Sequence, residues 1–143
     1  MIAKAATISH GGNAVRYSVN KDKAEIVKVN FLPDDISAEA MFQRMVLKQK
    51  EFSSIINKGR PLKRNVIRME ISPTKEESAG WTLADWVRLA NEYIRVFDSI
   101  DLSKKAKRAS AKFTNVKNSQ YVVALHHDAK SGIPHLHIDV NRV

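Results

Sequence analysis

The last two dozen residues constrain this chain most. Two apolar-rich runs, Gln120 to His127 (QYVVALHH) and Pro134 to Val143 (PHLHIDVNRV), flank a connection of hairpin length, Asp128 to Ile133, that contains Gly132. Side chains on a strand alternate between its faces, so His135 and His137 point one way while Leu136 and Ile138 point into the core. The hairpin returns His126-His127 beside that pair, and four of the five histidines fall within twelve residues. Imidazoles two residues apart on a strand reach one metal ion. A third from the preceding strand completes a three-nitrogen face with positions left open for a substrate oxygen. Alternation alone permits either His126 or His127 as that third ligand. A bare His-x-His would say little; the clustering on two strands expected to pair gives it weight.

Composition narrows the chemistry. The chain has no cysteine, which removes disulfide scaffolds, thiolate zinc sites and cysteine nucleophiles together. A metal must then be held by imidazole, carboxylate or backbone oxygen. At 143 residues the length suits one domain with a real core. No apolar run approaches the ~20 residues of a membrane span, and the N-terminus lacks the layout of a signal peptide. The expected compartment is the cytoplasm. Lys and Arg number 24 against 15 Asp and Glu, a net charge of +9, which points first to a polyanion such as nucleic acid.

The rest of the chain supplies the other elements. Residues 1–8 are expected to form a short strand, broken by His10-Gly11-Gly12-Asn13, with a short helix or turn from Ala14 to Val19. Ala24 to Phe31 partly alternates and is read as a second strand. Ser37 is placed to cap a helix running to about Asn57, and Gly59-Arg60-Pro61 ends it. Asn65 to Ile71 is a strand with Val66, Arg68 and Glu70 on one face and Ile67, Met69 and Ile71 on the other. Thr82 caps a helix to residue 98, with Asp85 in capping-box position. Its stripe of Leu83, Trp86, Val87, Ala90, Tyr93, Ile94 and Phe97 is core packing. The stretch 101–119 carries Lys104, Lys105, Lys107, Arg108, Lys112 and Lys117 against the single acid Asp101, with one aromatic, Phe113. It is either a solvated face or a loop that tracks phosphates. The whole is an α/β sandwich of one domain, residues 1–143. A mainly antiparallel sheet of about five strands has helices 37–57 and 82–98 on one face and the metal site on the other.

Three segments together resemble the relaxases, the mobilisation nucleases of conjugative and mobilisable elements within the HUH superfamily. His126-His127-Asp128, a short loop, His135-Leu136-His137 and Asn141 are similar to that family's histidine motif: His-x-Asp, a loop, His-hydrophobe-His, then an Asn. Val66 to Ser78 resembles its strand ending in a Ser-x-Pro-acidic turn before an amphipathic helix. Ile2 to Tyr17 resembles the first motif, where a strand and a helix present a tyrosine. The resemblance implies a ferredoxin-like layout, His126 rather than His127 as third ligand, and Mg or Mn as the ion; by ligand type alone Zn or Ni would also suit. It implies a transesterase in which Tyr17 attacks one phosphodiester of single-stranded DNA at a transfer origin. The enzyme stays on the 5′ phosphate, with accessory relaxosome proteins among its partners.

A phenol, with a pKa near 10, needs positive charge or a base to react near neutrality. Tyr17 follows a Gly-Gly-Asn turn and adjoins Arg16, which can favour phenolate or bind phosphate. Tyr93 lies on an apolar stripe, and Tyr121 starts a strand as a structural residue or a base-stacking one. Asp128 is the candidate to orient a ligating imidazole, with Glu70 a second candidate. Two features depart from the family: the basic stretch is long, and relaxases normally continue past the equivalent of Val143. The 143 residues are accordingly read as an N-terminal piece or a minimal domain. Two rivals stand beside this reading. One is a non-catalytic basic domain that binds single-stranded nucleic acid; the other is a replication initiator or transposase of the same superfamily.

Overall fold

The computed structural model describes residues 1–104 and 111–143. Among them, five strands form one antiparallel sheet in the order β1-β3-β5-β4-β2. The strands are β1 (Ile2–Ile8), β2 (Glu25–Asn30), β3 (Val66–Ser72), β4 (Tyr121–His126) and β5 (His135–Asn141). Three helices interleave with them: α1 (Gly11–Asn20), α2 (Ala38–Ile55) and α3 (Leu83–Asp98). The α/β class and the antiparallel five-stranded sheet match the reading of the sequence. β3 and β4 both run antiparallel to β5, which lies between them. The segment β3-α3-β4-β5 is therefore a split β-α-β unit of ferredoxin-like type. No described helix is long and apolar enough to cross a membrane.

Strand alternation divides the interior into two cores. Met69, Ile71, Val123, Leu125, Leu136, Ile138 and Val140 pack against Trp86, Ala90 and Ile94 of α3. On the other face Val66 and Val122 pack against Val15 of α1 and Met41 and Met45 of α2. The helices thus do not share one face as expected: α3 covers one side, and α1 with α2 covers part of the histidine side. Crossover handedness explains this. β1-α1-β2 and β3-α3-β4 both join parallel strands and traverse the sheet in the same direction, but β1 and β3 are antiparallel. Two right-handed crossovers of opposite sense then place their helices on opposite faces, and α2 follows α1 because it packs beside it.

Local chemistry fixes the elements. Ser37 caps α2 by accepting a bond from the N–H of Ala40 at 3.1 Å. At the start of α3 the Asp85 carboxylate accepts from the backbone N–H of Thr82 at 2.7 Å and from its hydroxyl at 3.0 Å. β2 carries a bulge between Ile26 and Lys28. The bulge reverses the alternation, so Val27 joins the α3 core while Val29 joins the other. That reversal is why β2 alternates only partly in sequence.

The first strand ends before Gly11-Gly12 as expected, but the helix opens at Gly11 itself, three residues ahead of the expected Ala14. A Cβ on Gly11 would collide with the Val66 side chain and lie 2.8 Å from the Asn65 side-chain oxygen. Gly11 is there because α1 must approach β3 closely.

Candidate metal centre and tyrosine

Cross-strand register assembles the site. His126 pairs with His135 across β4 and β5, and Glu70 pairs with His137 across β3 and β5. Each of His126, His135 and His137 offers a ligand atom, all lying within 4.8 Å of one another. The third imidazole is therefore His126. His127 has the opposite strand parity and meets the Glu25 carboxylate at 3.2 Å. Alternation settles the choice once the register is known, which the sequence alone left open.

The imidazoles are prepared as neutral ligands. His126 Nε2 lies 2.8 Å from the backbone oxygen of Ser18. A carbonyl only accepts, so Nε2 carries the ring hydrogen and Nδ1 keeps its lone pair. That Nδ1 is buried without a hydrogen-bond partner, as is Nε2 of His137. Buried, unpartnered ring nitrogens are costly, and a coordinated cation satisfies both. Burial lowers the His126 pKa, opposed by its bond to Ser18. Burial lowers His137 further, to about 3, helped by the neighbouring His126 and by the Arg68 guanidinium. Both rings thus stay unprotonated near neutrality. The residues present fit a divalent ion held by three nitrogens.

Tyr17 stands over this cluster. Its ring centroid is 5.6 Å from that of His126 and 5.7 Å from that of His137, and the residue remains 42% exposed, so it can be reached from solvent. Two cations face its ring, Lys21 Nζ at 4.7 Å and Arg68 Cζ at 4.9 Å from the centroid. Lys21 also bonds Asp128 at 3.1 Å. Its pKa is raised, first by that bond and then by Tyr17, so it acts as a fixed positive charge. Helix α1 links the parts: Ser18, which fixes the His126 tautomer, immediately follows Tyr17. The metal face and the tyrosine are thus held by one turn of helix.

Other expected site residues are placed differently. Arg16 turns back along α1 to Gly12 and Asn13 and does not face the Tyr17 ring. The Asp128 carboxylate is held by Lys21, which lowers its pKa, and makes no hydrogen bond to an imidazole. Glu70 lies 3.8 Å from His137 Nδ1 and is the nearer candidate for an orienting acid. Lys104 follows α3, and Lys112 leads into residues 113–119, which are tied to the far side of the sheet. There Val116 joins the α3 core and Asp98 accepts bonds from Thr114, Val116 and Lys117. Lys112 itself pairs with Asp101 at 3.8 Å. Neither lysine is brought to the imidazoles. Lys105, Lys107 and Arg108 lie outside the described residues. Tyr121 is buried in the α3 core, and Tyr93 packs against it.

Sequence reasoning missed Lys21, Arg68, Ser18 and Asp139. Lys21 follows Tyr17 by four residues, the spacing of helix neighbours, but the helix boundary concealed it. Arg68 shares the face of Glu70. Asp139 follows His137 on the same face of β5, is fully buried and has neither carboxylate oxygen hydrogen-bonded. Burial raises its pKa to about 6, partly opposed by Ser18 and Arg68.

The open side of the histidine face lies towards β1. A depression of about 290 Å³ lined by Ile2, Lys4, Glu70, Ser72, Ala129 and His135 adjoins one of about 360 Å³ over Ala6, Ile8 and Arg68. A substrate can reach the imidazoles from that side, since α1 closes the other. No family model, curated protein or solved structure matches the chain.

Proposed function

We propose that the chain is a metal-dependent DNA-nicking domain of the relaxase kind. It opens one phosphodiester of single-stranded DNA at a transfer origin and so initiates mobilisation of the element concerned. The observation that carries this reading is Tyr17, half-exposed, with its ring against two of three clustered imidazoles and beneath two cations. An inert structural zinc site would need neither an accessible phenol nor two cations against its ring.

The imidazoles His126, His135 and His137 would hold Mg or Mn by the family resemblance, or Zn or Ni by ligand type. The bound ion would polarise the phosphate and stabilise the charge that builds on it. Tyr17 provides the attacking oxygen. Its bond to phosphorus forms as the bond to the 3′ oxygen breaks, which leaves a 5′-phosphotyrosyl linkage. The departing oxygen takes up a proton to become a 3′ hydroxyl, and the phenolic proton passes to solvent. Lys21 and Arg68 favour phenolate character by charge and sit where phosphate oxygens would approach. The phosphotyrosine preserves the energy of the broken bond, so attack by a 3′ hydroxyl reseals the strand without ATP.

The test uses labelled single-stranded DNA of randomised sequence with Mn(II), followed for cleavage and for metal content. Wild-type protein is expected to bind the ion and cut, His135→Ala to lose both, and His127→Ala to retain both. Cleavage that survives a chelator would remove the metal from the account. Steeply salt-dependent binding with no cleavage in any divalent ion would favour the non-catalytic nucleic-acid-binding domain.

A further inference from the structure

Two groups of opposite character face the same ring nitrogen of His137. Arg68 Nη2 lies 3.1 Å from Nδ1, and Glu70 Oε1 lies 3.8 Å from it. Both come from β3, two residues apart on the face that meets β5, with Glu70 directly opposite His137. A guanidinium has hydrogens to donate and no lone pair to accept with. Its contact with Nδ1 therefore requires the lone pair there, which puts the hydrogen of the neutral ring on Nε2. Yet Nε2 is the nitrogen left buried and unpartnered in the imidazole cluster, and a ligand nitrogen must present a lone pair. For Nε2 to ligate, the hydrogen must sit on Nδ1, where it needs an acceptor. Of the two neighbours only Glu70 can accept.

We propose that Arg68 holds His137 in the tautomer that cannot ligate, and that loading of the site passes Nδ1 from Arg68 to Glu70. The inference rests on the metal-binding reading above and makes Arg68 and Glu70 positioning residues. The ring stays neutral in both states; one hydrogen changes nitrogen and one hydrogen-bond partner is exchanged. The exchange also frees Arg68 Nη2 beside the Tyr17 ring, where the guanidinium carbon already lies 4.9 Å from the centroid. The arginine that holds Nδ1 becomes a free donor for a phosphate oxygen once the site is loaded. Metal occupancy and phosphate binding are coupled through this one side chain, without any movement of the backbone.

Zinc(II), which is diamagnetic, is the probe. Nitrogen-15 spectra of the histidine rings report the tautomer, and calorimetry reports affinity. Wild-type His137 is expected to carry its hydrogen on Nε2 without metal and on Nδ1 with zinc. Arg68→Met should bind zinc about tenfold more tightly, the equivalent of one charge-assisted hydrogen bond no longer broken. Glu70→Leu should bind it about 10- to 100-fold more weakly, as for other partners of ligating histidines. If wild-type protein binds zinc but His137 is already in the Nδ1–H form without it, the proposal is overturned while metal binding stands. Unchanged or weaker binding by Arg68→Met has the same consequence. If wild-type protein binds no zinc, Mn(II) or Mg(II), the metal reading fails and this proposal fails with it.

Discussion

His137 and Asp139 show how two residues on one face of a strand titrate in opposite senses. Burial lowers the histidine from its ordinary 6.5 to about 3 and raises the aspartate from 3.8 to about 6. Between about 6.5 and 3 the unfolded chain binds the histidine proton more readily, so His137 removes stability as pH falls, by about 1.4 kcal/mol per unit. Between about 6 and 3.8 the folded chain binds the aspartate proton more readily, so Asp139 adds stability over that window as pH falls. The two contributions offset each other. Asp139→Asn should therefore make the acid-induced loss steeper between pH 6 and 4, measured by urea unfolding in metal-free buffer. An unchanged or shallower pH dependence would contradict the placement of Asp139 as a buried, unpaired acid. A second prediction belongs to this scale. His137→Ala should abolish metal binding by calorimetry, whereas His127→Ala should leave it intact, because strand parity sends His127 to Glu25 on the other face.

At the scale of elements, α1 is the part that joins packing to chemistry. Its first residue sits against β3 with no room for a side chain, and its last turn carries Tyr17, Ser18 and the adjoining Lys21. Gly11→Ala should therefore destabilise the fold by about 1–3 kcal/mol, the usual cost of overpacking. In Gly12→Ala the added methyl meets only the Phe42 ring, at 3.0 Å. A flexible side chain can shift, and alanine gains about 1 kcal/mol of helix propensity over glycine, so that change should be near neutral. Thermal unfolding separates the two; equal effects would mean that α1 does not dock as closely as described. The same helix marks where the sequence was legible. Strands β4 and β5 and helix α3 were readable because alternation, a 3.6-residue stripe and a capping box each have a local cause. The start of α1 was not, because paired glycines look like a breaker when their purpose is close approach to another element. The bulge at Val27 explains why β2, though read as a strand, alternates only in part: one extra residue reverses the alternation on which the reading depends.

For the whole molecule, the sheet is an arrangement of rows. One row runs Lys4, Glu70, His137 and Ala124, and the next runs Ala6, Arg68, Asp139 and Val122. These cross-strand rows, which no local pattern encodes, are what the sequence could not display. They explain why His135 and His137 were identifiable while Arg68, a cation beside both His137 and Tyr17, was not. They also explain why the basic stretch after α3 drew attention although its described ends belong to the opposite face. The face chosen by each helix was likewise a property of crossover handedness across the whole sheet rather than of any one segment. With α1 closing one side, the histidine face opens towards β1, and under the proposed function DNA would enter there.

Under the proposed function Tyr17 becomes joined to DNA. The most direct measurement incubates the protein with end-labelled single-stranded DNA of randomised sequence and Mn(II), denatures the mixture and looks for label that migrates with protein. A denaturant-resistant species that maps by mass to the peptide containing Tyr17 is expected. It should be lost in Tyr17→Phe, while that variant still binds DNA. An adduct formed by Tyr17→Phe, or cleavage that proceeds with no adduct at all, would contradict it.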